Sequence, residues 1–150
     1  MAIRLGSVVL LLFFVPLPAS ADTAEDLDKW FRDGYAALYA KDAWDRSSEF
    51  AQYFADEIAY RSDEGLDVVD VNEFVVDSLD EWRSQGWLAT DVAKLDTGLL
   101  NATTALFAVK WSDRNDDGST ELSCGWYIAD KIRGEWLLSQ YIAMACSDEE

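Results

Sequence analysis

"ALFAVKWSDRNDDGSTELSCGWYIADKIRGEWLLSQY", residues 105–141, reads as three extended segments joined by two turns, and that reading decides the fold. In the first segment Phe107, Val109 and Trp111 point one way while Leu106 and Ala108 point the other. Farther on, Trp136, Leu138 and Ile142 alternate with Leu137, Tyr141 and Ala143, the period of two that a strand imposes. A competing reading sits inside the first turn. From Asp113 the chain runs D-x-N-x-D-G, the opening half of an EF-hand loop, whose alternating oxygens suit a hard cation. The twelfth residue of such a loop must be a bidentate Glu between two helices; here it is Cys124 between two strands. The stretch is therefore expected to be a turn in which Gly118 takes positive φ. A surface calcium site built from Asp113, Asn115 and Asp117 is the alternative.

Upstream, "WLATDVAKLDTGLL" is a further extended segment, preceded by helical patterns. Leu27, Trp30, Phe31, Gly34 and Leu38, with Tyr35 and Tyr39 alongside, predict an amphipathic helix begun by a Thr23/Asp26 capping pair. "AWDRSSEFAQYF" predicts a shorter helix that turns Trp44, Phe50 and Phe54 inward, and "DEIAYRSDEG" a strand ending at a turn. "DVNEFVVDSLDEWRSQG" predicts a helix capped by Asp70 or Asn72, with Val75, Val76, Leu79 and Trp82 on one stripe and Gly86 as its stop. Its acidic residues Glu73, Asp77, Asp80 and Glu81 form a solvated face. Helices followed by a run of strands indicate an α+β fold with an antiparallel sheet. The later strands are apolar on both faces, so the outer face calls for a cover: a second copy of the chain, or its own tail and loops.

Composition narrows the function. Twelve Lys and Arg stand against 29 Asp and Glu, a formal net charge of −17, which repels nucleic acid and anionic lipid. Half the residues are hydrophobic, which excludes disorder. Arg4, the apolar run from Val8 to Val15 and Ala19-Ser20-Ala21 have the form of a signal peptide, giving an expected leader over residues 1–21 and one domain over 22–150. The expected location is extracellular or periplasmic, with no membrane attachment after cleavage. The two cysteines, Cys124 and Cys146, are then expected to be bridged, since an even count in an oxidising compartment favours a disulfide. Geometry pulls against this. A hairpin about Lys131 to Gly134 sets Cys124 opposite roughly Tyr141, so Cys146 would have to fold back to reach it. There is no His, which removes Ser-His-Asp, Cys-His and His-ligated metal chemistry. No cofactor is expected. Asn101-Ala102-Thr103 matches a glycosylation acceptor, relevant to a eukaryotic source.

The order helix, helix, strand, helix, curved sheet resembles the nuclear-transport-factor-2-like superfamily, also called SnoaL-like or ketosteroid-isomerase-like. "YAALYAKDAWDRSSEFAQYFADEIAY" is similar to the family's two helices and first strand, with Phe54-Ala55-Asp56-Glu57 at its "F-A-D-D" corner, and residues 105–141 are similar to its closing hairpins. The likeness covers residues 24–144 and implies a cone: a curved sheet wrapped around N-terminal helices, enclosing a mostly apolar pocket. The isomerases of the family use a Tyr on the first helix, an Asp base near the end of the first strand and a protonated acid on a later strand. Tyr35 matches the first. The base position falls on Ser62, beside Asp63, and the later acid position near Ser123. A slip of one residue turns a strand side chain to the other face, so Asp63 substitutes only if a bulge re-aims it. The Asp-Arg-Asp relay of the epoxide hydrolases is not matched either, since Arg114 and Asp116 lie in the expected turn.

Two functions follow. The first is a secreted domain that holds a small apolar ligand among Tyr35, Tyr39, Tyr60, Trp87, Tyr127 and Tyr141 and pairs as a homodimer; the same aromatics serve equally as ordinary core. The second is an isomerase, cyclase or dehydratase in which Tyr35 polarises a substrate oxygen and Asp63 or Asp91 moves a proton.

Overall fold

The computed structural model describes residues 22–40 and 46–146. The expected leader, the inward packing of Trp44 and the frayed tail 147–150 lie outside the described residues. The chain begins with α1, Ala24–Lys29, opened by a capping box: Thr23 Oγ1 accepts from the Asp26 amide at 3.1 Å and Asp26 Oδ2 from the Thr23 amide at 3.0 Å. The helix then widens into a π-helical turn, Trp30–Tyr35, and tightens into a 3-10 turn, Ala36–Ala40. The expected uniform helix is thus three kinds of turn, and Leu27, Phe31, Tyr35 and Tyr39 are all buried along it.

After α2, Ser47–Ala51, come β1, Phe54–Ser62, and β2, Gly65–Asp70. The sequence did not predict β2, because nearly all its residues are exposed and no buried alternation marks it. Asp70 caps α3, Val71–Ser84, accepting from the amides of Asn72 at 2.9 Å and Glu73 at 3.3 Å. Val71, Val75 and Leu79 form the buried stripe of this helix; Val76, expected on it, faces solvent. Four long strands complete the chain: β3, Trp87–Asn101; β4, Thr104–Asn115; β5, Thr120–Ile132; and β6, Glu135–Met144.

The six strands form one open sheet in the order β2-β1-β6-β5-β4-β3. All neighbours are antiparallel except β1 and β6, whose parallel pairing is made possible by the long stretch of chain between them. Register breaks in β3 at Trp87/Ala89, Val92/Lys94 and Leu99/Asn101 bend the sheet as bulges do. The architecture is the expected α+β one, a curved sheet around the N-terminal helices. At its centre Phe31 stacks on Phe107 with ring centroids 4.7 Å apart and meets Tyr35, Trp111 and Tyr127 at 5.1 to 5.9 Å.

Two register details correct the sequence reading. The β5–β6 hairpin turns on Arg133 and Gly134, both at positive φ (53° and 90°), so Ile132 pairs with Glu135 in a two-residue turn tighter than the one expected. A bulge at Ser139 then adds a residue to β6. Together they set Cys124 opposite Met144 instead of Tyr141, and Tyr127 opposite Tyr141. Cys146, just beyond Met144, reaches Cys124 across a Cα–Cα distance of 5.2 Å and forms the disulfide. The bulge also moves Tyr141 onto the inner face with Leu138 and puts Ile142 outside, reversing the grouping drawn from simple alternation.

Candidate functional site

The first helix and the inner face of β4 to β6 bring the tyrosines together. Tyr35 and Tyr39, one turn apart, share a hydrogen bond of 2.7 Å between their hydroxyls, and Tyr35 donates to the Tyr127 hydroxyl at 3.4 Å. All three are buried. Burial raises the pKa of each: Tyr35 and Tyr127 stand well above the ordinary phenol value, and Tyr39 is raised despite its bond from Tyr35. Tyr141 is pushed up to about 12, chiefly by burial and then by the neighbouring Tyr60 and Asp113. These hydroxyls are therefore neutral donors at physiological pH.

Tyr141 belongs to the same run, 4.7 Å from Tyr127 between centroids. It lies flat over Gly125, where a Cβ would stand 2.5 Å from its ring, so Gly125 is what lets β6 lay an aromatic across β5. Tyr60 stacks on Tyr141 at 5.7 Å, and Trp87 meets Tyr39 at 6.4 Å. The six aromatics singled out in the sequence thus form one connected group, and they also pack against other core rings, among them Phe31, Phe50, Phe54, Phe74, Trp82 and Trp111. The gap beside them under α3, lined by Tyr39, Phe50, Phe54, Phe74, Leu79 and Trp82 among others, has a volume of about 10 Å³, roughly enough for a single water. A larger cleft of about 180 Å³ lies on the surface between the first helix and β3, lined by Arg32, Ala36, Ala37, Ala40, Thr90, Asp91 and Val92.

The carboxylates named as possible bases lie apart from Tyr35. Asp63 is exposed in the turn between β1 and β2. Asp91 is exposed at the rim of the surface cleft, 3.3 Å from Arg114 Nε. Of Asp113, Asn115 and Asp117, the last two both bond Ser119, while Asp113 has other partners. Asp117 Oδ1 accepts from the Ser119 amide at 2.8 Å, and the Ser119 side chain first and this amide second lower the pKa of Asp117; Asn115 Nδ2 donates to Ser119 Oγ at 3.1 Å. Asp113 points inward and accepts from the hydroxyls of Thr90 and, at 2.7 Å, Ser123. Among the described residues no three His, Cys, Asp or Glu side chains are grouped to hold a metal ion.

Asp113 is the inner-face carboxylate that the sequence reading missed. The signal was present: the alternation of Phe107, Val109 and Trp111 continues to Asp113, because β4 runs on to Asn115 before the turn begins. Thr90 ties this carboxylate to Trp87, whose Nε1 donates to Thr90 Oγ1 at 2.8 Å.

No family model matches the chain, and no curated protein matches it in sequence. Solved structures do match in fold. A protein with a cystatin-like fold from Nostoc punctiforme superposes with a TM-score of 0.61 at 13% identity, over 81% of this chain and 91% of its own. An NTF2-like protein from Shewanella oneidensis gives 0.59 at 13%, over 79% and 96%. The association domain of C. elegans CaMKII gives 0.59 at 14%, over 81% and 94%. The chain has the nuclear-transport-factor-2-like cone fold, and at these identities the likeness extends to the fold alone.

Proposed function

We propose that this chain is a non-catalytic binding domain that acts outside the cytoplasm as a pair of identical copies. The carrying observation is the state of Tyr35. Its hydroxyl is enclosed between Tyr39 and Tyr127, and the carboxylates proposed to work with it, Asp63 and Asp91, lie at the surface. General acid–base catalysis needs the base within hydrogen-bond reach of the reacting proton. The Cys124–Cys146 bridge and the leader-like residues 1–21 support the extracytoplasmic location. Pairing is supported by the apolar outer face of the sheet and by the likeness to an association domain. The test is a turnover assay of the purified chain against a panel of ketones, lactones and epoxides. No turnover is expected; turnover abolished by Tyr35→Phe would overturn the reading and restore an isomerase, cyclase or dehydratase.

A small apolar ligand is a second reading, favoured by the aromatic gap under α3. At about 10 Å³ the gap must widen before it admits one, and lifting α3, whose Phe74 and Trp82 are half-buried, is the direct way. Native mass spectrometry of the chain purified from its own host tests this: a retained small molecule supports it, and a bare chain counts against it.

A further inference from the structure

The surface cleft of about 180 Å³ lies on the flank of the first helix, apart from the aromatic gap under α3. Its helix wall is made of Ala36, Ala37 and Ala40, and opposite them stand Val92 and the buried Thr90 of β3. The Thr90 hydroxyl is already engaged by Trp87 and Asp113. The polar side chains left to meet a ligand are therefore the two charged ones that line the cleft, Arg32 and Asp91.

Arg32 is fixed by a chain of bonds. Its Nε donates to Asp28 Oδ2 at 2.9 Å, and Asp28 Oδ1 accepts from Thr97 Oγ1 at 3.0 Å. Nη2 meets the Leu95 carbonyl oxygen at 3.5 Å, and the other guanidinium N–H donors have no partner among the described residues. Asp91 bonds Arg114 Nε through Oδ2 at 3.3 Å, which leaves Oδ1 without a partner among the described residues. One small cavity is thus lined by a positioned cation with spare donors and by a carboxylate with a spare oxygen.

Charge identifies the class of ligand. Asp28, Arg32, Asp91 and Arg114 sum to zero in a chain that carries −17. The field of the whole chain repels a net anion, and a net cation is drawn to any of its acidic faces, so neither is selected here. A zwitterion escapes both. Length narrows the class. Along β3, with the bulge between Val92 and Lys94, Asp91 and Leu95 are about 10 Å apart. Both charged side chains reach into that span and leave about 7 Å between charges, the length of two extended residues. A single α-amino acid, with ammonium and carboxylate on one carbon, is too short. The volume holds about six waters at ~30 Å³ each, which suits a dipeptide with small side chains. β3 is the edge strand of the sheet, so an extended backbone laid along Thr90 to Val92 has a free strand edge beside it.

We propose that this cleft binds a dipeptide with free ends and small side chains, its carboxylate on Arg32 and its ammonium on Asp91. The site is separate from the tyrosine group and does not depend on pairing.

Titration of the intact purified chain with L-alanyl-L-alanine, followed through its amide NMR shifts, tests the proposal. Saturable shifts centred on Ala36, Ala37, Thr90 and Val92 are expected, with a Kd of about 1 mM or tighter. N-acetylation and C-terminal amidation of the probe are each expected to weaken binding about 10-fold. Arg32→Gln is expected to weaken the free dipeptide about 10-fold and to make amidation cost nothing further, and Asp91→Asn to do the same for N-acetylation. Ala37→Leu, at an exposed position that tolerates a good helix former, is expected to abolish binding by filling the cleft. The absence of saturable shifts up to about 10 mM dipeptide overturns the site, as do shifts centred elsewhere on the chain. Equal binding of the doubly blocked peptide overturns recognition of a zwitterion. Amidation that still costs about 10-fold in Arg32→Gln overturns the placing of the carboxylate.

Discussion

The two faces of the sheet are built from the same strands and almost the same residue types, yet they differ in every physical respect. On β4, Phe107, Val109 and Trp111 are 0%, 4% and 5% exposed, while Leu106 and Ala108, their neighbours in sequence, are only half-buried. Strand pairing is common to both faces, so it cannot be the source of the difference. The difference is what lies over each face. The first helix drives Phe31 and Tyr35 into the inner one, where stacked and edge-on rings close the space. The outer face presents a band of apolar side chains to solvent. Apolar pattern thus records where a surface could be buried; the topology decides which of the two is buried within one chain.

The largest effect that separates the faces is alkaline unfolding. A buried tyrosine whose folded pKa lies above its unfolded value of about 10 favours the fold at every pH below 10 and loses that contribution as pH rises through the folded value. Tyr141, raised to about 12, contributes roughly 3 kcal/mol that disappears between pH 10 and 12, and Tyr35, Tyr39 and Tyr127 are shifted in the same direction. Cooperative unfolding in that window is expected, with tyrosinate absorbance of the buried group rising in step with the loss of near-ultraviolet circular dichroism. Ionisation of all six tyrosines well before unfolding would mean that the inner face is open to water, and the contrast between the faces would collapse.

Next in size is a matched pair of truncations on one strand. Phe107→Ala empties the centre of the aromatic core and is expected to destabilise the chain by about 4 kcal/mol in urea unfolding. Leu106→Ala, one residue away on the outer face, is expected to cost about 1 kcal/mol or less under conditions where the chain is monomeric. Equal losses would show that the outer face is packed after all.

The grouping of the inner face was largely legible in the sequence: alternation set Phe107, Val109 and Trp111 on one side of β4 and helical spacing set Phe31, Tyr35 and Tyr39 on one helix stripe, and all six are buried, although alternation alone did not say which side of β4 the helix covers. The misreadings have local causes. β2 lacks a buried alternation because nearly all its residues are exposed, and Val76 is a valine on the wrong side of a helix stripe. The placing of Tyr141, Ile142 and the partner of Cys124 depends on a bulge at Ser139 and a two-residue turn at Arg133-Gly134, each of which shifts register without altering the hydrophobic pattern on which the reading relied. Asp113 was assigned to a loop because Asp and Asn nearby carry turn chemistry, although its strand parity already placed it inside. The candidate site was therefore legible as a set of aromatics, and the hydroxyl pairings that enclose Tyr35 were not.

The disulfide is the one covalent feature of the outer face, and it sharpens the comparison by asking whether the two faces are energetically separate. Cys124 pairs across the sheet with Lys110 and Met144, away from the tyrosines, and its bond to Cys146 spans a sequence separation of 22 residues that contains the β5–β6 hairpin. Cross-linking a loop of that length restricts the unfolded chain by about 3 kcal/mol in the chain-entropy account, and residual hairpin structure in the unfolded state would reduce this. Cys124→Ser with Cys146→Ser is thus expected to lower the urea midpoint by an amount equivalent to about 3 kcal/mol or less, below the effect of Phe107→Ala. Because the bridge lies outside the ring of buried hydroxyls, the variant's native state should keep them neutral: tyrosinate should still appear with unfolding, at a lower pH only by the amount that the stability loss dictates. Tyrosinate appearing ahead of unfolding in the bridge-free variant would show that the outer staple holds the inner face shut, and the sheet would then have to be treated as one cooperative layer whose two sides cannot be altered independently.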